Sequence, residues 1–166
     1  KLLLIGNCRH GKDTMAEILR DNFEFSFKSS SQAAAEIFIY DELKDKYGYK
    51  TFEECFEDRV NHRKDWFDLI CEYNKDDKMR LAKEILENND CYVGMRDFNE
   101  LEEASDLFDI IVWVDAEKRL PLEDNSSMTC TKQQADIVID NSSTLVDFNR
   151  RVINFGNLFL KPKKIL

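Results

Sequence analysis

The feature that most constrains this chain is a junction. The apolar run Leu2-Leu3-Leu4-Ile5 stops at Gly6, and Gly11-Lys12 then opens an amphipathic stretch. An unbroken apolar run suits a strand buried on both faces. From Lys12 to Asp21, Met15, Ile18 and Leu19 recur at helical spacing. A strand that passes so abruptly into a helix needs glycines in the connection. Its backbone N–H groups, with the helix N-terminus behind them, then form a seat for an anion. Gly6-Asn7-Cys8-Arg9-His10-Gly11-Lys12 therefore predicts a loop that cradles the phosphates of a nucleoside triphosphate, with Lys12 reaching the β- and γ-phosphates. His10 is expected to point out of the loop without a chemical role.

The residue after the lysine is Asp13, followed by Thr14, where a magnesium-binding Ser or Thr is usual. A carboxylate is a hard oxygen donor, so Asp13 is the candidate Mg²⁺ ligand, or else a favourable charge at the helix start.

The remaining pattern alternates short apolar runs with longer amphipathic stretches, which predicts an α/β fold of three layers around a parallel sheet of about five strands. Further strands are expected over 23–27, 91–95, 109–114 and 135–140, and helices over 32–46, 51–55, 59–73, 76–87, 100–107 and 143–155. A single domain over 1–166 is expected, with a helical region at about 28–75, a flap over 116–134 and a frayed tail from Lys161 to Lys164. Asp45-Lys46-Tyr47-Gly48 and Asn74-Lys75-Asp76-Asp77 match GTPase patterns. Both follow helical-looking segments rather than strand ends, so they read as chance.

Charge narrows the partners. A formal net charge of −9 argues against a sequence-independent grip on nucleic acid, yet allows a local basic cluster for small anions. No apolar run approaches the roughly 20 residues that span a bilayer, and the opening run is too short for a secretory signal. The five cysteines, Cys8, Cys55, Cys71, Cys91 and Cys130, form no Cys-x-x-Cys pair, which fits a reducing cytoplasm. Cys8 reads as a tolerated small side chain in the loop.

With these residues in view, Gly-x-x-x-x-Gly-Lys-Asp-Thr at Gly6 to Thr14 resembles the phage-type deoxynucleoside monophosphate kinases, within the P-loop nucleoside and nucleotide kinases. Val93-Gly94-Met95-Arg96-Asp97-Phe98-Asn99-Glu100 resembles that family's strand-end arginine and following Asn-Glu. Ser126-Ser127-Met128-Thr129 lies where the family carries its flap. Ala135 to Asn141, with Ser142 to Leu145, resembles the strand and turn beside the nucleotide base. The resemblance implies transfer of the γ-phosphoryl group of ATP, with Mg²⁺, to a deoxynucleoside 5′-monophosphate in the cytoplasm, that of the host if the chain is viral. A homodimer is left open. The family's strand-end Asp has Gly94 in its place here, with Asp97 or Asp90 as substitutes.

Phosphoryl transfer needs positioning and charge neutralisation more than a covalent partner. Arg96, after a buried strand, and Arg63, preferred over Arg59 and Lys64 on the same helical stretch, are the candidate contacts to the acceptor phosphate. Arg119 is the candidate flap clamp on the transferring group. Asn141 is placed beside the adenine, and Ser29, Ser30 and Gln32 near the acceptor pocket. Phe38, Tyr40 or Trp66 would stack on the acceptor base. Two alternatives stay open: a P-loop kinase for another small phosphorylated acceptor such as dephospho-coenzyme A, and a nucleotide-binding regulator without turnover.

Overall fold

The computed structural model describes residues 1–124 and 126–163. Asn125 of the expected flap and Lys164 of the expected tail lie outside the described residues. Five parallel strands form one sheet in the order β2-β3-β1-β4-β5. They are β1 (Leu2–Ile5), β2 (Phe27–Ser29), β3 (Cys91–Val93), β4 (Ile110–Asp115) and β5 (Ile137–Asp140). Leu2, Leu3 and Leu4 of β1 pair with Cys91, Tyr92 and Val93 on one side, and with Ile110, Ile111 and Val112 on the other.

Pleating sends alternate side chains of β1 to opposite faces, and both faces are covered. Leu2 and Leu4 pack with Met15 and Leu19 of α1 (Lys12–Asn22) and with Phe148 and Val152 of the C-terminal helix (Leu145–Phe159). Leu3 and Ile5 join the cluster of Ala34, Ile39, Leu81, Ile85 and Leu101 on the other face. These side chains are almost wholly excluded from water, and each of them larger than Ala34 contributes about 1.5–3 kcal/mol.

The second layer holds α2 (Ser30–Ala34), a π-helical segment (Ala35–Ile39) and α3 (Tyr40–Tyr47) in unbroken succession. Next come α4 (Phe52–Asp58), α5 (Arg63–Tyr73), α6 (Arg80–Asn88) and α7 (Phe98–Ala104); the C-terminal helix is α8. The two GTPase-like stretches fall at the end of α3 and after α5, and neither leaves a strand.

Three expectations are corrected. The alternating Phe23-Glu24-Phe25-Ser26-Phe27 is not a strand along its length. Phe23 and Phe25 are buried against α8, where Gly156 leaves room for the Phe23 ring, and pairing with β3 begins only at Phe27. The helix expected over 59–73 is broken before Arg63, which turns Arg59 and Val60 toward the sheet edge. Through Lys163 the tail is tied down: Phe23 bridges to Pro162, and the Lys163 amide donates to the Asn22 carbonyl.

No described helix is long and apolar enough to cross a membrane. All five cysteines are free.

Candidate functional site

Because the chain leaves β1 for an outer strand and later crosses it again to reach β4, the carboxyl ends of β1, β3 and β4 frame a crevice at the switch point. The loop from Gly6 to Lys12 fills its floor. Gly6 has φ 142°, and a Cβ there would sit 2.5 Å from the Val114 carbonyl oxygen. Gly11, with φ 104°, caps α1 and lies against the Asn141 side-chain amide. Between them Arg9 takes a left-handed conformation (φ 62°), which costs a non-glycine residue on the order of 1 kcal/mol.

Neighbouring strand ends hold this shape. His10 is wholly buried, contrary to the expectation that it points out of the loop. Its Nδ1 accepts from the Ala116 amide at 3.0 Å, so the proton sits on Nε2, which faces the Pro121 carbonyl at 3.3 Å. The buried Asn141 side chain donates to the His10 carbonyl at 2.9 Å, and thus braces the loop from the end of β5. A buried loop histidine whose ring partners are backbone groups of the distant stretch after β4 leaves no short-range signal in the sequence.

Lys12 folds back over the loop. Its ammonium donates to the carbonyls of Gly6 (2.7 Å) and Asn7 (2.8 Å). Burial, with the Arg96 charge added, pushes its pKa down to about 8. Asp13 and Thr14 stand in the first turn of α1, and the exposed Asp13 carboxylate faces the cavity.

That cavity, about 200 Å³, has three walls. Cys8, Arg9, Lys12 and Asp13 come from the loop; Arg59, Arg63, Trp66 and Phe67 come from the α4–α5 segment; Gly94 and Arg96 come from the end of β3. Ser29 also lines it while capping α2 through the Gln32 amide. Ser30 is buried and donates to the Gly94 carbonyl.

Arg59 is held by the Phe56 carbonyl and lies over the Phe56 ring. Lys64 points away, paired with Asp68 on the surface. Trp66 lines the cavity, and its indole N–H has no partner among the described residues. Phe38 stacks on Tyr73 and Tyr40 bonds to Lys50, so neither lines the cavity.

Sequence reasoning missed Glu123, in the β4–β5 loop. One of its oxygens accepts from Arg96 Nη1 at 2.6 Å and from Arg63 Nη1 at 3.2 Å. The other accepts from the Cys8 amide at 2.6 Å, and the Glu123 amide donates to Asn7 Oδ1. Arg63 also reaches the Cys8 sulfur at 2.5 Å, so Cys8 is part of this network. Arg119 is not brought into it: its Nε donates to the Asn141 carbonyl at 2.6 Å.

Among the described residues no three His, Cys, Asp or Glu side chains cluster to hold a metal ion. A Mg²⁺ arriving with a nucleotide needs only one or two carboxylates, the rest of its shell being phosphate and water, and Asp13 fits that requirement. Asp97 is committed to capping α7. Asp90 lies at the opposite end of the sheet, bonded to Ser26, and is thereby excluded as the substitute strand-end carboxylate.

No family model matches the chain, and no curated protein matches it in sequence. Solved structures match its fold. A dephospho-CoA kinase from Campylobacter jejuni superposes with a TM-score of 0.54 at 16% identity, covering 94% of this chain and 94% of its own. TT1252 from Thermus thermophilus gives 0.53 at 14% identity, with 95% of each chain covered. A shikimate kinase from Bacteroides thetaiotaomicron gives 0.52 at 11%, covering 95% of this chain and 96% of its own. The shared property is the fold: this chain has the three-layer α/β P-loop architecture, with its glycine-lysine loop between the central strand and the first helix.

Proposed function

We propose that this protein is an ATP-dependent P-loop kinase that transfers the γ-phosphoryl group to a deoxynucleoside 5′-monophosphate. The observation that carries the reading is the convergence of Arg63 and Arg96 with the Cys8 amide on one carboxylate, beside Lys12. Donors of this kind, from three separate segments, suit a phosphoryl group passing between two phosphates. Charge-assisted bonds to such a group contribute about 1.5–3 kcal/mol each.

In this reading the loop amides and Lys12 hold the β- and γ-phosphates, and Lys12 exchanges its carbonyl partners for phosphate oxygens. Arg63 and Arg96 orient the acceptor phosphate for in-line attack. That phosphate is already anionic near neutral pH, so no general base is required. Asp13 would hold Mg²⁺, which supplies charge neutralisation on the phosphates. Trp66 and Phe67 give the acceptor an apolar surface.

The acceptor is tested by ADP formation from ATP and Mg²⁺ with each deoxy- and ribonucleoside monophosphate added separately. Dephospho-coenzyme A and shikimate serve as comparison acceptors, because proteins of the same fold carry those names. Stimulation by one or more deoxynucleoside monophosphates is expected. Stimulation by a comparison acceptor alone would replace the acceptor, and stimulation by none would leave a binding role in its place.

A further inference from the structure

Glu123 is the inward-facing member of an otherwise exposed stretch: Pro121, Leu122 and Asp124 around it face solvent, while its side chain is only 8% exposed. Little apolar surface holds this part of the loop down, so its anchorage is largely polar. The anchors are the Glu123 carboxylate on Cys8, Arg63 and Arg96, the Glu123 amide on Asn7, and the Pro121 carbonyl facing His10.

The chemistry of the seat is the key point. Its donors are one phosphate-loop amide and two guanidinium groups, one from each of the cavity's other two walls. They are the donors a phosphoryl group in transit requires, and one carboxylate satisfies all three. The contact also joins two spaces: Arg96 lines the cavity of about 200 Å³, Glu123 lines a neighbouring one of about 300 Å³, and Arg63 lines both. Lys12, meanwhile, is satisfied by loop carbonyls. Both sets of charges that would meet phosphate are therefore engaged internally.

We propose that Glu123 is a built-in competitor for the phosphoryl seat, an autoinhibitory latch that a polyphosphate must displace. The idea rests on the phosphotransfer reading for its purpose. A carboxylate and a phosphoryl group cannot share the Cys8 amide and both arginines, so binding of one expels the other. Expulsion frees the 121–124 segment and opens the first cavity toward the second. The latch lowers apparent affinity by the fraction of molecules in which it is closed.

The test is calorimetric titration of inorganic tripolyphosphate, without metal, into the wild type, Glu123→Gln and Glu123→Ala. Amide hydrogen exchange is followed with and without the same probe. Tighter binding by about tenfold or more is expected in both variants. In the wild type, tripolyphosphate should accelerate exchange of the Glu123 amide, which donates to Asn7 Oδ1, while the Cys8 amide stays slow, its bond passing from carboxylate to phosphate.

Equal or weaker binding in both variants would overturn the latch, as would slower exchange of the Glu123 amide. Failure of the kinase reading is separately visible. Tighter tripolyphosphate binding in the variants, with no turnover on any acceptor, leaves the latch standing and removes the kinase.

Discussion

The Lys12 ammonium donates to the Gly6 carbonyl across 2.7 Å, so the loop's cation is bound by the loop's own backbone. Held there by burial and beside Arg96, Lys12 has its pKa lowered from 10.5 to about 8. Below that pH the buried charge costs the folded protein on the order of 3 kcal/mol, and the cost fades as pH rises from the folded toward the unfolded value. A polyanion reverses the shift. ATP binding is therefore expected to take up protons near pH 8, and almost none by about pH 6. Calorimetry in buffers of different ionisation enthalpy measures this. Lys12→Met should abolish the uptake, and buffer-independent heats in the wild type would contradict the account.

Arg63 and Arg96 share a target, whereas Arg119 is spent on Asn141. Arg63→Ala and Arg96→Ala are each expected to lower kcat/KM for the acceptor by about 10- to 100-fold, corresponding to one charge-assisted contact. Arg119→Ala should cost less than either. Steady-state kinetics with the acceptor varied decides it. An Arg119 effect larger than that of Arg96 would place Arg119 in the reacting site after all.

Glu100 is buried in α7, and its carboxylate accepts from the Tyr92 hydroxyl at 3.1 Å. Burial, with Asp97 adding to it, raises its pKa from 4.5 to about 8. The folded state thus holds a proton that the unfolded state has lost, and stability falls as pH rises between those two values. Glu100→Gln should flatten that slope and stabilise the protein near neutral pH by on the order of 3 kcal/mol. Thermal melts of both proteins across pH 4 to 9 check this, and a parallel pair of curves would refute it.

Gly6 is the position where backbone sets the limit. Any Cβ meets the Val114 carbonyl oxygen, and φ is in glycine's range as well. Gly6→Ala should lower Tm and abolish ATP binding together, since both depend on how closely β1 and β4 approach. Retained ATP affinity in this variant would show that the loop tolerates a different geometry.

Local signals account for what could be read in the sequence. The Leu2–Ile5 run, the glycines and Lys12 each act through neighbouring backbone, so the strand, loop and helix follow from short-range rules. The apolar run at 110–114 is of the same kind. Glu123 and His10 are different. Their roles depend on residues that the topology brings from β3, α5 and the end of β4, and nothing adjacent to either marks it as inward-facing. Phe23 and Phe25 mislead for a related reason. Alternation reports which side chains are buried, and here the burying surface is α8 rather than a paired strand.

The central claim is phosphoryl transfer at the Lys12 loop. It is tested most directly by following terminally labelled ATP with Mg²⁺ and a deoxynucleoside monophosphate, in the wild type and in Lys12→Ala. The account predicts labelled deoxynucleoside diphosphate from the wild type with at least one acceptor, and a loss of about 100-fold or more in the variant. Label that stays on ATP with every monophosphate, or a Lys12→Ala protein that transfers as well as the wild type, would contradict it.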